Sequence, residues 1–249
     1  MKITKYSANG NDFIIYHSNQ KLDRSQLAKK LCHRQNGVGA DGLVVLMPHK
    51  DYDFEWDFYN ADGSYASMCG NASRAVAHYA DEKGISKDGK AIFLTGAGVI
   101  EATINGLYVV TQMTKPKIID RDINEYGYNW WLIDTGVPHL INIRDDISEF
   151  DLEIMSKLRY KYNANVNIAS ISDENEISIR TYERGVEDET LACGTGMVSS
   201  FVRALEEGLV SNSVKVLPRS GDELYIDFRD NNYYFGGKVT KTFIAEVEE

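Results

Sequence analysis

Two stretches of this sequence repeat one another 124 residues apart: MCGNASRAVAHYA, beginning at Met68, and ACGTGMVSSFVRA, beginning at Ala192. Each reads as a small or apolar residue, cysteine, glycine, a polar residue and a small one, and then a helical pattern. The likeness extends upstream. FYN (58–60) and TYE (181–183) each end a strand-like run, and a loop of nearly equal length leads from each to its cysteine. Farther back, each half holds a strand, a Gly-containing turn and another strand, YSANGNDFIIY and LIDTGVPHLINI. From Asn11 to Cys69 is 58 residues, and from His139 to Cys193 is 54. The chain therefore reads as two degenerate copies of one unit. Two such domains facing one another would bring two helix starts, each with a cysteine, to a common cleft.

The rest of the sequence fits two mixed domains. Apolar runs with strand character recur throughout, among them DFIIY, GLVVLM, AIFLT, VNIASI, EISIRTY and ELYIDF. Helical spacing is confined to residues 24–35, 68–84, 152–162 and 191–208, with Gly84 and Gly208 where a C-terminal cap belongs. The expected class is α/β or α+β with extensive sheet. Residues 72–80 are apolar nearly all round, so that helix must be enclosed.

Composition narrows the function. The chain has 249 residues and a net charge of −10, all of it arising in residues 113–249, since residues 1–112 carry equal numbers of acidic and basic groups. An acidic surface repels phosphates, so no nucleic acid partner is expected. There is no apolar run long enough for a membrane span and no signal-peptide pattern at the N-terminus, which makes a cytoplasmic protein without a membrane partner the expectation. The three cysteines, Cys32, Cys69 and Cys193, are widely spaced and odd in number. They fit free thiols rather than a disulfide framework or a cysteine-rich metal site.

A pair of thiols can cycle through a disulfide, bind a soft metal or move protons. The short spacings typical of redox and metal sites are missing, and spacing alone decides no further. Proton transfer to opposite faces of one carbon needs an acid on one side and a base on the other, which two cysteines from two similar domains would supply. The backbone N–H groups of Gly70 and Asn71, and of Gly194 and Thr195, would then stabilise charge on a substrate carboxylate, glycine permitting close approach.

Taken together, GNDF (10–13), GADG (39–42), FYNADGS (58–64), MCGN (68–71), GVPH (136–139), NVN (165–167) and YERGVEDETLACGTG (182–196) resemble the diaminopimelate epimerases, in order and across nearly the whole chain. The resemblance implies a cofactor-independent, metal-free enzyme that interconverts LL- and meso-diaminopimelate on the route to lysine and peptidoglycan. It implies Cys69 as proton donor and Cys193 as acceptor in the LL to meso direction. It further implies Asn11, Asn60, Asn165, Glu183 and Arg184 as substrate-binding residues, and His139 and Glu183 as groups that set the thiol pKa values. An arginine pairs well with a carboxylate, and a glutamate with an ammonium.

The implied architecture is two pseudo-symmetric domains, each a sheet curled around its cysteine-bearing helix. Residues 1–112 with 240–249 would form the first and residues 113–239 the second, with the active site in the cleft between them and a homodimer as the assembly. The sequence also departs from the family: Ala72 follows CGN, Ser7 and Ala8 stand before NGNDF, and Gly42 and Val137 occupy two positions of common substrate contacts.

Other readings make different demands. GVGADG (37–42) matches a dinucleotide fingerprint, but a helical pattern precedes it and a strand pattern follows, the reverse of what that motif requires. A racemase of the same fold with another amino acid substrate keeps both thiols. A cysteine hydrolase activated by His139 needs only one. A thiol redox or binding protein would show no turnover.

Overall fold

In the computed structural model, which describes residues 1–248, the chain divides into two units, residues 1–112 with 236–249 and residues 113–235. The first unit begins with β1 (Lys2–Ala8) and β2 (Asn11–His17), followed by α1 (Ser25–Cys32), β3 (Gly42–Met47) and β4 (Phe54–Asn60). Then come α2 (Gly70–Glu82), β5 (Lys90–Thr95), β6 (Gly98–Asn105) and β7 (Tyr108–Gln112). Strands β1 and β2 pair antiparallel, β2 and β3 parallel, β3 and β4 antiparallel, β4 and β5 parallel, and β5 to β7 antiparallel.

The second unit repeats the series. It contains β8 (Lys117–Glu125), β9 (Tyr128–Asp134), β10 (Pro138–Ile143), α3 (Leu152–Tyr162), β11 (Asn165–Asp173), β12 (Glu176–Glu183) and β13 (Asp188–Thr190). Helix α4 (Gly194–Glu206), β14 (Ser213–Leu217) and β15 (Leu224–Arg229) follow, and β16 (Asn232–Lys238) leads the chain back to the first unit. Strands β9 and β10 pair antiparallel, β10 and β11 parallel, β11 and β12 antiparallel, β12 and β14 parallel, and β14 and β15 antiparallel. The order of pairing types matches that of the first unit, so the duplication read in the sequence is a duplication of topology.

The last strand completes the likeness. β17 (Thr240–Glu246) pairs antiparallel with β1, as β8 does with β9. The second unit thus takes its outer strand from its own first segment, and the first unit from the end of the chain.

Each cysteine-bearing helix is the axis of its unit. Helix α2 packs against β1, β2, β3, β5, β6 and β7, and every residue from Gly70 to Ala80 except His78 is buried. Helix α4 packs against β9, β10, β11 and β12 and is buried from Gly194 through Ala204. Alanines at 72, 75, 77 and 80, all at 0% exposure, let the strands close tightly around α2. β3 is buried at all six positions because α1 covers one of its faces and α2 the other, which is why GLVVLM is continuously apolar. By contrast, β5 and β6 alternate buried and exposed positions, as strands with one solvated face do. α1 ends before GVGADG and β3 begins at its last glycine, the order expected from the sequence and unlike a dinucleotide-binding turn.

Candidate active-site residues

Cys69 and Cys193 occupy equivalent places. Each is the N-cap of its unit's central helix, with extended backbone, φ −152° at Cys69 and −126° at Cys193. In neither helix does the cap side chain accept from a backbone N–H of the first turn, and neither first turn holds an acidic residue. The positive end of each helix is therefore left for another anion, a thiolate or a carboxylate. Gly70, Asn71, Gly194 and Thr195 form the first turns and are all buried. Cys69 is half-buried and Cys193 is 7% exposed.

In the first unit the β1–β2 hairpin delivers Asn11 to the head of α2. Asn9 and Gly10, at φ 49° and 89°, form the two-residue turn, where glycine carries a positive φ at little cost. Asn71 Nδ2 donates to Asn11 Oδ1 at 2.6 Å, and Asn11 Nδ2 donates to Asp41 Oδ2 at 3.2 Å. Arg74, wholly buried, donates to Asn71 Oδ1 at 2.7 Å and to Asn9 Oδ1 at 2.6 Å. Asp41 and Asp12 are both held by Arg34, and Lys5 pairs with Asp12 at 2.8 Å. Burial pushes the Asp12 carboxyl up, but Arg34 and Lys5 outweigh it and hold the group at about 2. Asn60 lies apart from this chain of contacts, exposed at the end of β4, with its amide donating to Ser64 Oγ at 3.0 Å.

In the second unit the β9–β10 hairpin delivers His139 to the head of α4. His139 is wholly buried inside β10 rather than in a turn. Its Nε2 is 2.9 Å from Thr195 Oγ1 and 3.3 Å from Asn165 Nδ2, while its Nδ1 is 2.8 Å from Asn167 Oδ1. Thr195 Oγ1 is in turn 3.6 Å from Cys193 Sγ. Burial lowers the imidazole to about 4, against the Asn167 hydrogen bond that raises it, so the ring is neutral near pH 7.

Asn165 Oδ1 accepts from the Arg184 backbone N–H at 2.7 Å, and the Arg184 guanidinium donates to the Asn163 carbonyl at 2.9 Å. Glu183 ends β12, with its carbonyl accepting from the N–H groups of Val186 and Glu187. Asn165, His139, Thr195 and Cys193 are thus one connected group, with Glu183 and Arg184 at its edge.

Sequence reasoning missed the residues that hold these groups in place: Arg74, Asp41, Asp12 and Arg34 in the first unit, Asn167 and Thr181 in the second. A charged residue in the otherwise apolar turn of α2 was the available signal for Arg74. Asn167 lay within NVN, but only the register of β10 with β11 sets it against His139. Among the described residues no group of three or more histidines, cysteines and carboxylates is arranged to hold a metal ion, and no helix is long and apolar enough to cross a membrane.

Comparison with known proteins gives a consistent result. Residues 3–119 and 131–242 match the family model described as diaminopimelate epimerase. The chain is 58% identical to a diaminopimelate epimerase of a Nitratiruptor species, covering 98% of this chain and 97% of that protein. It is 40% identical to the diaminopimelate epimerase of Helicobacter pylori, covering 96% and 93% of the two. Among solved structures, a probable proline racemase from Agrobacterium radiobacter superposes with a TM-score of 0.78 at 14% identity, covering 99% of this chain and 92% of that one. At that identity the likeness is one of fold.

Proposed function

This chain belongs to the diaminopimelate epimerase family, and from that premise we propose that it interconverts LL- and meso-diaminopimelate without a cofactor, using Cys69 and Cys193 as acid and base. The observation that carries the proposal is the equivalence of the two thiols. Each caps the buried central helix of its unit, and neither first turn contains an acid to compete with a bound anion. One thiol takes the α-proton while the other supplies a proton to the opposite face, and their roles exchange in reverse.

The α-hydrogen of an amino acid is weakly acidic, so its removal requires stabilisation of charge on the adjoining carboxylate. In this proposal the N–H groups of Gly70, Asn71, Gly194 and Thr195 provide it. Asn11, Asn60, Asn165, Glu183 and Arg184 hold the substrate, chiefly its distal amino acid end. His139 and Glu183 set the ionisation of the thiols. The two thiols serve one α-carbon, and the protein works in the cytoplasm as a homodimer, supplying precursors of lysine and peptidoglycan.

The test is incubation with LL-diaminopimelate in D2O, following deuterium entry at the α-carbon and formation of the meso isomer. Wild type is expected to do both, and Cys69→Ser and Cys193→Ser each to abolish turnover. Absence of exchange by reduced wild-type protein overturns the proposal. Exchange with proline and not diaminopimelate moves the substrate to that of a sibling racemase, and turnover that survives either serine variant favours one-thiol chemistry.

A further inference from the structure

We propose that the Thr195 hydroxyl is a proton relay between Cys193 and His139, so that the buried imidazole ionises a thiol it reaches only through the threonine. The inference deepens the proposed role of Cys193 and rests on it. The geometry is a row of three atoms, Cys193 Sγ, Thr195 Oγ1 and His139 Nε2, with separations of 3.6 and 2.9 Å.

The direction of the hydrogen bonds follows from a donor that has no choice. The backbone N–H of Arg184 must donate, so Asn165 Oδ1, 2.7 Å away, accepts, and Asn165 turns its Nδ2 toward His139 Nε2. Nε2 is therefore the acceptor nitrogen. The ring proton sits on Nδ1, where Asn167 Oδ1 accepts it at 2.8 Å. That turns Asn167 Nδ2 toward Thr181 Oγ1, to which it donates at 2.5 Å. With Nε2 an acceptor, Thr195 gives its hydroxyl proton to His139 and turns a lone pair toward Cys193. The resting arrangement is S–H to O–H to N.

Ionisation reverses the row. The Sγ proton passes to Thr195 Oγ1 as the hydroxyl's own proton passes to His139 Nε2. The S–H electron pair stays on sulfur, and the new imidazolium donates back to Thr195, which now donates to the thiolate. Each atom in the row keeps a partner in both states, whereas Asn165 Nδ2 gives up its acceptor once Nε2 carries a proton. The thiolate offsets the cost of charging a buried ring, as does Asp134 on β9, while Arg184 beyond β12 opposes it. The equivalent contact in the first unit joins Asn71 and Asn11, two amides that take up no proton near neutral pH. The relay is thus a property of the second unit.

The test combines Thr195→Val, Thr195→Ala and Thr195→Ser with two readouts. One is turnover of LL-diaminopimelate, and the other is the pH dependence of Cys193 carbamidomethylation without substrate, read by peptide mass spectrometry. Loss of the hydroxyl in the valine or alanine variant is expected to raise the alkylation midpoint by about one unit or more. It should lower kcat on the order of 100-fold with KM within about threefold. Thr195→Ser should recover most of both, and His139→Asn should shift the midpoint as Thr195→Val does, with no further shift in the double variant.

A midpoint unmoved in folded Thr195→Val and Thr195→Ala overturns the relay, as does a serine variant as impaired as the valine one. Wild type that alkylates as expected but exchanges no α-proton refutes the proposed reaction and leaves the relay standing on the alkylation profiles.

Discussion

Asn71 meets Asn11 at 2.6 Å in the first unit at the place where Thr195 meets His139 at 2.9 Å in the second. In both, the second residue after a helix-capping cysteine bonds to a side chain delivered by a hairpin turn. The duplicated backbone therefore fixes where a polar contact lies, and the residue types decide what it does. In one unit the pair is two amides and positions; in the other it contains an imidazole and can move a proton.

Asn71→Ala should weaken the first unit. The amide donates to Asn11 and accepts from the buried Arg74 guanidinium at 2.7 Å, so two hydrogen bonds are lost, one charge-assisted. The expected cost is about 2 kcal/mol in urea unfolding. Because Asn11 loses a bond that orients it, KM for diaminopimelate should rise about fivefold. Unchanged stability and KM would show that the Asn11 side chain is held by Asp41 alone.

Gly196→Ala should carry the opposite sign to the usual glycine-to-alanine change in a helix, which stabilises by about 1 kcal/mol. A Cβ at 196 would stand 2.5 Å from Asn167 Nδ2 and 3.3 Å from His139 Cε1. Asn167 is tied to both His139 and Thr181 and has no room to give. A loss of about 1–3 kcal/mol is expected, together with impaired turnover. Gly84→Ala, with nothing within 4 Å but φ at +67°, should cost about 1 kcal/mol and leave turnover intact. Thermal melts and turnover of the two variants decide the contrast.

The acid limb of stability should have two separate steps. His139 titrates near 6.5 when unfolded and at about 4 when buried. The unfolded chain then binds the extra proton, so the contribution of this group is complete above pH 6.5 and is lost as pH falls toward 4. Asp12, held at about 2, contributes above its unfolded pKa of about 3.9 and loses that contribution between there and pH 2. Urea midpoints measured against pH should flatten in the upper window for His139→Asn and in the lower one for Asp12→Asn. Identical slopes in variant and wild type would refute the assignment.

Cys32 should be silent. It lies in the apolar cluster with Leu31, Leu43 and Tyr59, and burial pushes its thiol up to about 12. Alkylation of the native protein at pH 8 should spare it until denaturant is added, and Cys32→Ala should keep turnover while losing about 1 kcal/mol or more of stability. Native labelling of Cys32, or loss of turnover in a folded Cys32→Ala, would count against this assignment.

The sequence by itself determined the duplication, the two cysteine-capped helices and the burial of those helices. These follow from local pattern: a repeated CG step before an Ala-rich or small-residue run, and too little charge for a solvated face. The resemblance to a family, not periodicity, also led to the expectation that residues 240–249 join the first domain, where β17 (Thr240–Glu246) pairs with β1.

What only the tertiary structure decided is which side chains support the cysteines. Arg74 reaches Asn9 across 65 residues, Asn71 reaches Asn11 across 60, and Thr195 reaches His139 across 56. Hydrogen bonds of that span depend on strand register and on which way one helix is turned about its axis. A one-residue slip in register would send every such side chain to the other face. Periodicity shows which face of an element is apolar, whereas the partner of a buried polar group is set by the chain that packs against it.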